Sequence, residues 1–135
     1  MVSGGPGTGK TTIINAITKL YIEEYRLGPA DIMETIALLA PTGRASKKIA
    51  TSTNLPAYTI HRYLKWYKDS DSFFYNEYNK TSHKLIIVDE VSMIDIDLFD
   101  ALLKGISPNV KLILVGDINQ LPSVGPGLIL EDLIN

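Results

Sequence analysis

Three short runs in this chain are apolar on both faces: "TIALLA" (Thr35 to Ala40), "KLIIVDE" (Lys84 to Glu90) and "VKLILVGD" (Val110 to Asp117). A strand with one wet face alternates apolar and polar residues, because successive side chains point to opposite sides. Runs without that alternation must be covered on both sides, which is the condition of a parallel strand between layers of helix. The segments between them read as helices. Ile13, Ile14, Ile17, Leu20, Tyr21 and Tyr25 recur at helical spacing, and that pattern stops at Gly28-Pro29. Further helices are expected over Gly43 to Ala50, Ile60 to Tyr67, Ile96 to Lys104 and Leu128 to Ile134. The alternation predicts an α/β fold, a three-layer open parallel sheet. At 135 residues it makes one domain, 1–135. The polar and aromatic stretch from Lys68 to His83 breaks the rhythm and reads as an insertion. Its expected form is a small hairpin, Ser72 to Tyr75 turning through Asn76-Glu77.

Composition narrows the function classes. The formal net charge is -2, so any polyanion site must be local rather than global. Cysteine is absent, which excludes disulfides and thiolate metal sites and suits the cytoplasm. No apolar run reaches the ~18 residues that a membrane span requires, and no signal peptide is visible, so no membrane partner is expected.

Gly4-Gly5-Pro6-Gly7-Thr8-Gly9-Lys10-Thr11 satisfies the pattern G-x-x-x-x-G-K-[ST] and opens the first helix. Glycines there let backbone N–H groups close on phosphate oxygens, and the helix directs its positive end at the same anion. Gly5, Gly7, Thr8, Gly9, Lys10, Thr11 and Thr12 are therefore the candidate nucleotide-binding residues. Lys10 supplies positive charge for the β- and γ-phosphates of ATP, and the Thr11 hydroxyl is a ligand for Mg²⁺.

The run ending in Asp89 and Glu90 indicates what is done with the nucleotide. Neighbouring side chains on a strand diverge, so the two acids can divide labour. Asp89 is the candidate metal ligand, and Glu90 the group that orients and deprotonates an attacking water. Gln120, just past the last strand, sits where ligands of open α/β sheets bind and can register the γ-phosphate. Lys10, Glu90 and Gln120 form the candidate catalytic set. Asp95 and Asp97 suit helix capping better than metal binding.

Together these pieces resemble superfamily 1 helicases, and more narrowly the RecD type, the α subunit of exodeoxyribonuclease V and its stand-alone relatives. "GGPGTGKTT" is similar to that group's motif I, "APTGRAS" to motif Ia, "YTIHRYL" to motif Ib, "VDEVSMID" to motif II and "VGDINQLPSVGPG" to motif III. The resemblance implies a RecA-like P-loop NTPase with strand order 1-4-3-2, and a pin for strand separation in the insertion at about 68–83. It also implies ATP-dependent DNA helicase activity, 5′ to 3′, in recombination and repair. Single-stranded and duplex DNA, and other subunits of a nuclease-helicase complex, are the implied partners.

Thr42 and Thr59 each precede an expected helix, and each can either cap it or hold a DNA phosphate. The resemblance favours DNA for Thr42, Gly43, Thr59 and His61. It further implies a truncated chain, the first motor domain without the second RecA-like domain, which would supply an arginine worth about 10³ to 10⁵ in rate. Two other readings stay open: another P-loop ATPase, and an isolated nucleotide-binding module that does not turn over by itself. An ABC transporter would carry an LSGGQ-like signature, which this chain lacks.

Overall fold

A computed structural model describes residues 8–116, with side chains from Thr12 onward. Helix α1 (Thr8–Tyr25) ends because Arg26 turns left-handed, at φ 52. The Leu27 N–H then donates to the Ile22 carbonyl at 3.0 Å and the Arg26 N–H to Glu23 at 3.3 Å, so the last carbonyls are satisfied. A short helix that the apolar pattern did not announce follows, α2 (Pro29–Thr35). Proline starts it, and the Asp31 carboxylate accepts from the Gly28 N–H at 3.2 Å.

The central sheet is parallel. Strands β1 (Ile36–Ala40), β2 (Ala57–Thr59), β5 (Leu85–Val88) and β6 (Lys111–Leu114) lie in the order β2-β1-β5-β6. Three of the expected strands therefore have the expected neighbours, with the Lys84–Glu90 run between the other two. The first strand of the predicted order lies outside the described residues. The three-residue β2 is an addition at the far edge, too short to leave a periodic signal. All residues of β1 and β5 are buried, as their unbroken apolar runs require.

Alternate residues of these strands enter two separate cores. Ala37, Leu39, Ile86, Val88 and Leu114 pack with Leu102 and Ile106, from helix α5 (Ile96–Gly105) and just beyond it, and with Ile60 and Leu64. Ile36, Leu38, Ala40, Leu85 and Ile87 pack instead with Ile14 of α1 and with Ala45 and Ile49 of helix α3 (Gly43–Thr53). Helices thus cover both faces, and the three layers follow. Helix α3 runs three residues past the expected Ala50 and stops where Asn54 takes φ 58.

Helix α4 spans only Ile60–Tyr63, not Ile60 to Tyr67. Lys65 adopts φ 56, which no α-helix tolerates, and the chain enters a hairpin. Its arms are β3 (Trp66–Tyr67) and β4 (Ser72–Phe73), paired antiparallel with Trp66 opposite Phe73. The start of the expected Ser72 to Tyr75 arm therefore pairs with the chain before it, Trp66–Tyr67, rather than with residues beyond Asn76-Glu77. A second, tighter turn carries Glu77 and Tyr78, closed by the Asn76–Asn79 bridge.

The insertion is fastened to the body at two places. The Tyr63 hydroxyl is hydrogen-bonded to Thr81 Oγ1 and to His83 Nδ1, each at 2.8 Å, and His83 Nε2 donates to the Met33 carbonyl at 3.0 Å. Burial pushes the Tyr63 hydroxyl up to about 12, so it keeps its proton throughout the ordinary pH range. At the end of α5, the Gly105 carbonyl accepts from the Thr81 N–H at 2.8 Å. A Cβ on Gly105 would lie 2.7 Å from Leu64 Cδ2 and 3.2 Å from the Tyr75 carbonyl oxygen. Leu64 is wholly buried and the carbonyl is backbone, so neither gives way easily. Gly105→Ala is therefore expected to lower stability by about 1–3 kcal/mol in urea titration. An unchanged midpoint would mean that the insertion sits loosely on α5.

Candidate functional site

Among the described residues, the predicted site residues Thr42, Thr59, Asp89 and Glu90 lie on one rim of the sheet, at the C-terminal ends of the parallel strands. In sheet order these ends carry Thr59 as the last residue of β2, Thr42 after β1, Asp89 and Glu90 after β5, and Val115-Gly116 after β6. That is where an open α/β sheet binds its ligands.

Asp89 and Glu90 are the most constrained. The Asp89 N–H donates to the Leu39 carbonyl at 2.8 Å, and the Val91 N–H to the Val115 carbonyl at 3.1 Å. Glu90 is thus suspended between the ends of β1 and β6. Its backbone is left-handed, φ 51 and ψ 44, and its N–H donates to Asp89 Oδ1 at 2.8 Å. Glutamate has no intrinsic liking for that conformation, which costs about 1–2 kcal/mol. Strain of this kind collects at functional positions, and here the surrounding hydrogen bonds sustain it. Behind it, a Cβ on Gly116 would lie 3.0 Å from Val91 Cγ1 and 3.1 Å from the Val91 nitrogen. A side chain on Gly116 would therefore crowd the segment that follows Glu90.

Thr42 and Thr59 both cap helices. Thr42 Oγ1 accepts from the Ala45 N–H at 3.2 Å, and Thr59 Oγ1 from the Arg62 N–H at 3.2 Å. Capping uses each hydroxyl as acceptor, and its O–H remains a donor, so the cap does not compete with a phosphate. Gly43 presents open space where a Cβ would stand. His61 is exposed and packs edge-on against Trp66, with ring centroids 5.3 Å apart. Thr42→Ala is expected to lower the unfolding free energy by about 1 kcal/mol, with Thr42→Ser close to wild type. Equal loss in both variants would show that the hydroxyl is not the cap. Asp95 also caps as expected, its Oδ1 accepting from the Leu98 N–H at 2.7 Å.

The backbone of Thr8, Gly9, Lys10 and Thr11 forms the start of α1, so the phosphate pattern does open a helix. Gly5, Gly7 and Gln120 lie outside the described residues, as do the motif III tail and the expected helix Leu128 to Ile134. Among the described residues no group of three or more His, Cys, Asp or Glu side chains could enclose a metal. Mg²⁺ does not ask for such a cage: it is held by one or two hard oxygen ligands with phosphate and water supplying the rest. A carboxylate at the strand end, with a threonine in the phosphate loop, is a donor set that fits.

Two features of the site carried no signal in the sequence. Glycine 116 reads as an ordinary loop residue until Val91 is seen against it. Glu90 was legible as an acid, but its strained backbone was not.

The parallel three-layer sheet, the phosphate loop opening α1 and the acidic end of β5 define a P-loop nucleotide-binding domain. Residues 1–126 match the family of AAA domains, and the chain belongs to that family. It is also similar to the RecBCD enzyme subunit RecD of Mycobacterium tuberculosis, 36% identical over all of this chain and 26% of the relative. The ATP-dependent RecD2 DNA helicase of Deinococcus radiodurans is 37% identical over 95% of this chain and 16% of the relative. The RecBCD enzyme subunit RecD of Buchnera aphidicola is 37% identical over 98% of this chain and 24% of the relative. The chain spans about a quarter or less of the length of these relatives. The likeness to RecD-type proteins seen in the motifs is thus matched along almost the whole chain. Among the described residues no helix is long and apolar enough to cross a membrane.

Proposed function

We propose that these 135 residues are the ATP-binding half of an ATP-dependent DNA helicase or translocase of the RecD type, working 5′ to 3′ in DNA recombination and repair. The observation that carries this reading is the strained Glu90 held between β1 and β6 beside Asp89, on the rim where the phosphate loop is expected. A domain that only bound nucleotide would have no use for a second acid fixed at such a cost. The names of the relatives, a RecBCD subunit and an ATP-dependent DNA helicase, point the same way.

In this reading Thr8 to Thr12 and Lys10 hold ATP, and Thr11 and Asp89 hold Mg²⁺, which when bound neutralises charge on the phosphate oxygens. Glu90 orients water and takes its proton, and Gln120 reports the γ-phosphate to the DNA face formed by Thr42, Gly43, Thr59 and His61. A second RecA-like domain supplies the completing arginine and the other half of the DNA track. The hairpin of the insertion stands at the point of strand separation. Partner subunits of a nuclease-helicase complex belong to the same proposal, as does a cytoplasmic setting.

The test is unwinding of tailed duplexes by these residues joined to a second RecA-like domain. A duplex with a 5′ single-stranded tail should be opened with ATP, and one with a 3′ tail should not. Opening of the 3′-tailed substrate alone would contradict the polarity, and opening of neither the helicase assignment.

A further inference from the structure

Beside β2, away from the acidic rim, a groove of about 420 Å³ runs from Tyr58 to the approach to β5 at Lys80–His83. Three cations line it, Arg62, Lys65 and Lys80, and no carboxylate does. Among the described residues none of the three has an acidic partner; the ion pair there is Lys104 with Asp100. Each cation is instead placed by a ring or a carbonyl. The Arg62 guanidinium lies 5.9 Å from the centroid of the Tyr58 ring, and Lys65 Nζ lies 5.3 Å from that of Phe74 and 5.5 Å from that of Tyr75. Lys80 Nζ donates to the Lys104 carbonyl at 2.7 Å.

The groove is also built to hold its shape. Lys65 owes its left-handed backbone to a ladder: its N–H donates to the Arg62 carbonyl at 3.1 Å, its own carbonyl accepts from the Phe74 N–H at 2.9 Å, and the Tyr75 N–H donates to the Leu64 carbonyl at 3.1 Å. The Tyr63–Thr81–His83 hydrogen bonds fix one wall. Glu77 and Asp100 line a separate hollow.

We infer that this groove is a second contact for the phosphate backbone of a single nucleic-acid strand, adjoining the rim residues Thr59 and His61 at Arg62, whose N–H donates to Thr59 Oγ1. The inference rests on the DNA reading proposed above. Cations of one sign without interleaved acids match a uniformly charged polymer rather than a peptide of mixed charge. Ring faces among those cations are what sequence-tolerant single-strand sites combine. The chain's net charge is -2, so the concentration of positive charge is local to this surface.

The test is binding of a fluorescent oligothymidylate to the 135-residue chain across a salt series. Arg62 and Lys65 are exposed, so Arg62→Gln with Lys65→Gln should leave folding intact. The expected result is about 10-fold weaker binding at low salt, and a salt slope smaller by about 1.4, two phosphate contacts at ~0.7 each. Arg62→Lys with Lys65→Arg should restore both. Lys19→Gln with Lys111→Gln, exposed cations elsewhere, should change neither. Wild-type slope in the Arg62/Lys65 glutamine pair, or equal loss in the Lys19/Lys111 pair, would overturn the groove and spare the rim. Displacement of the oligonucleotide mole for mole by tripolyphosphate would make it a free-phosphate site and overturn the strand assignment. No oligonucleotide binding by the wild-type chain would overturn both the groove and the DNA reading.

Discussion

Lys10→Ala is expected to weaken Mg·ATP binding by 100-fold or more, a loss of about 3 kcal/mol. The phosphate loop of residues 4–11 contains one cationic side chain, and the rest of its affinity comes from backbone N–H groups and the start of α1. Those neutral donors cannot replace a full charge opposite the β- and γ-phosphates. Alanine is a strong helix former at the start of a helix, so the variant should fold as well as wild type. The two consequences separate cleanly. Without nucleotide the melting temperatures should agree; with saturating Mg·ATP only the wild type should shift upward, because only it binds ligand. Unchanged affinity in a calorimetric titration would refute the phosphate assignment.

Glu90→Gln should leave Mg·ATP binding nearly intact and lower turnover by about 10² to 10⁴ in a chain joined to its second motor domain. The amide keeps the size and the left-handed backbone of the glutamate but cannot take a proton from water. Normal turnover in this variant would remove Glu90 as the base. Glu90→Gly offers an independent reading of the same residue. Glycine relieves a strain of about 1–2 kcal/mol but loses about 0.4–1 kcal/mol through the greater freedom of its unfolded chain. A net gain of roughly 0.5–1 kcal/mol in unfolding free energy, with turnover lost, would show stability given up for function at this position. A loss of stability would mean that the glutamate side chain holds the turn in place.

Much of this architecture was legible because burial leaves a strong mark on a strand. The β1 and β5 runs are apolar at every position since both faces are covered, and that pattern is hard to mistake. The phosphate loop and the paired acids were legible for a different reason, since their chemistry restricts the residue types at fixed spacing. What escaped was short or tertiary. Strand β2 has three residues and helix α2 seven, too few for a period to appear. Helix α4 stops at Tyr63 because Lys65 turns left-handed under the hydrogen bonds of Phe74 and Tyr75, residues nine and ten positions away. Nothing in the residue type of Lys65 or Glu90 announces a positive φ; the packing imposes it. The threonines were ambiguous for a sound reason, since the hydroxyl that caps a helix is chemically suited to a phosphate as well.

The most direct test of the central claim is ATP hydrolysis by this chain, with and without single-stranded DNA, measured beside Mg·ATP binding. Half of a two-domain motor should bind Mg·ATP and hydrolyse it slowly, with little stimulation by DNA, because the completing arginine comes from the other half. Strong DNA-stimulated turnover would contradict that account and mean that the chain completes its own site. Failure to bind Mg·ATP at all would contradict the nucleotide assignment itself.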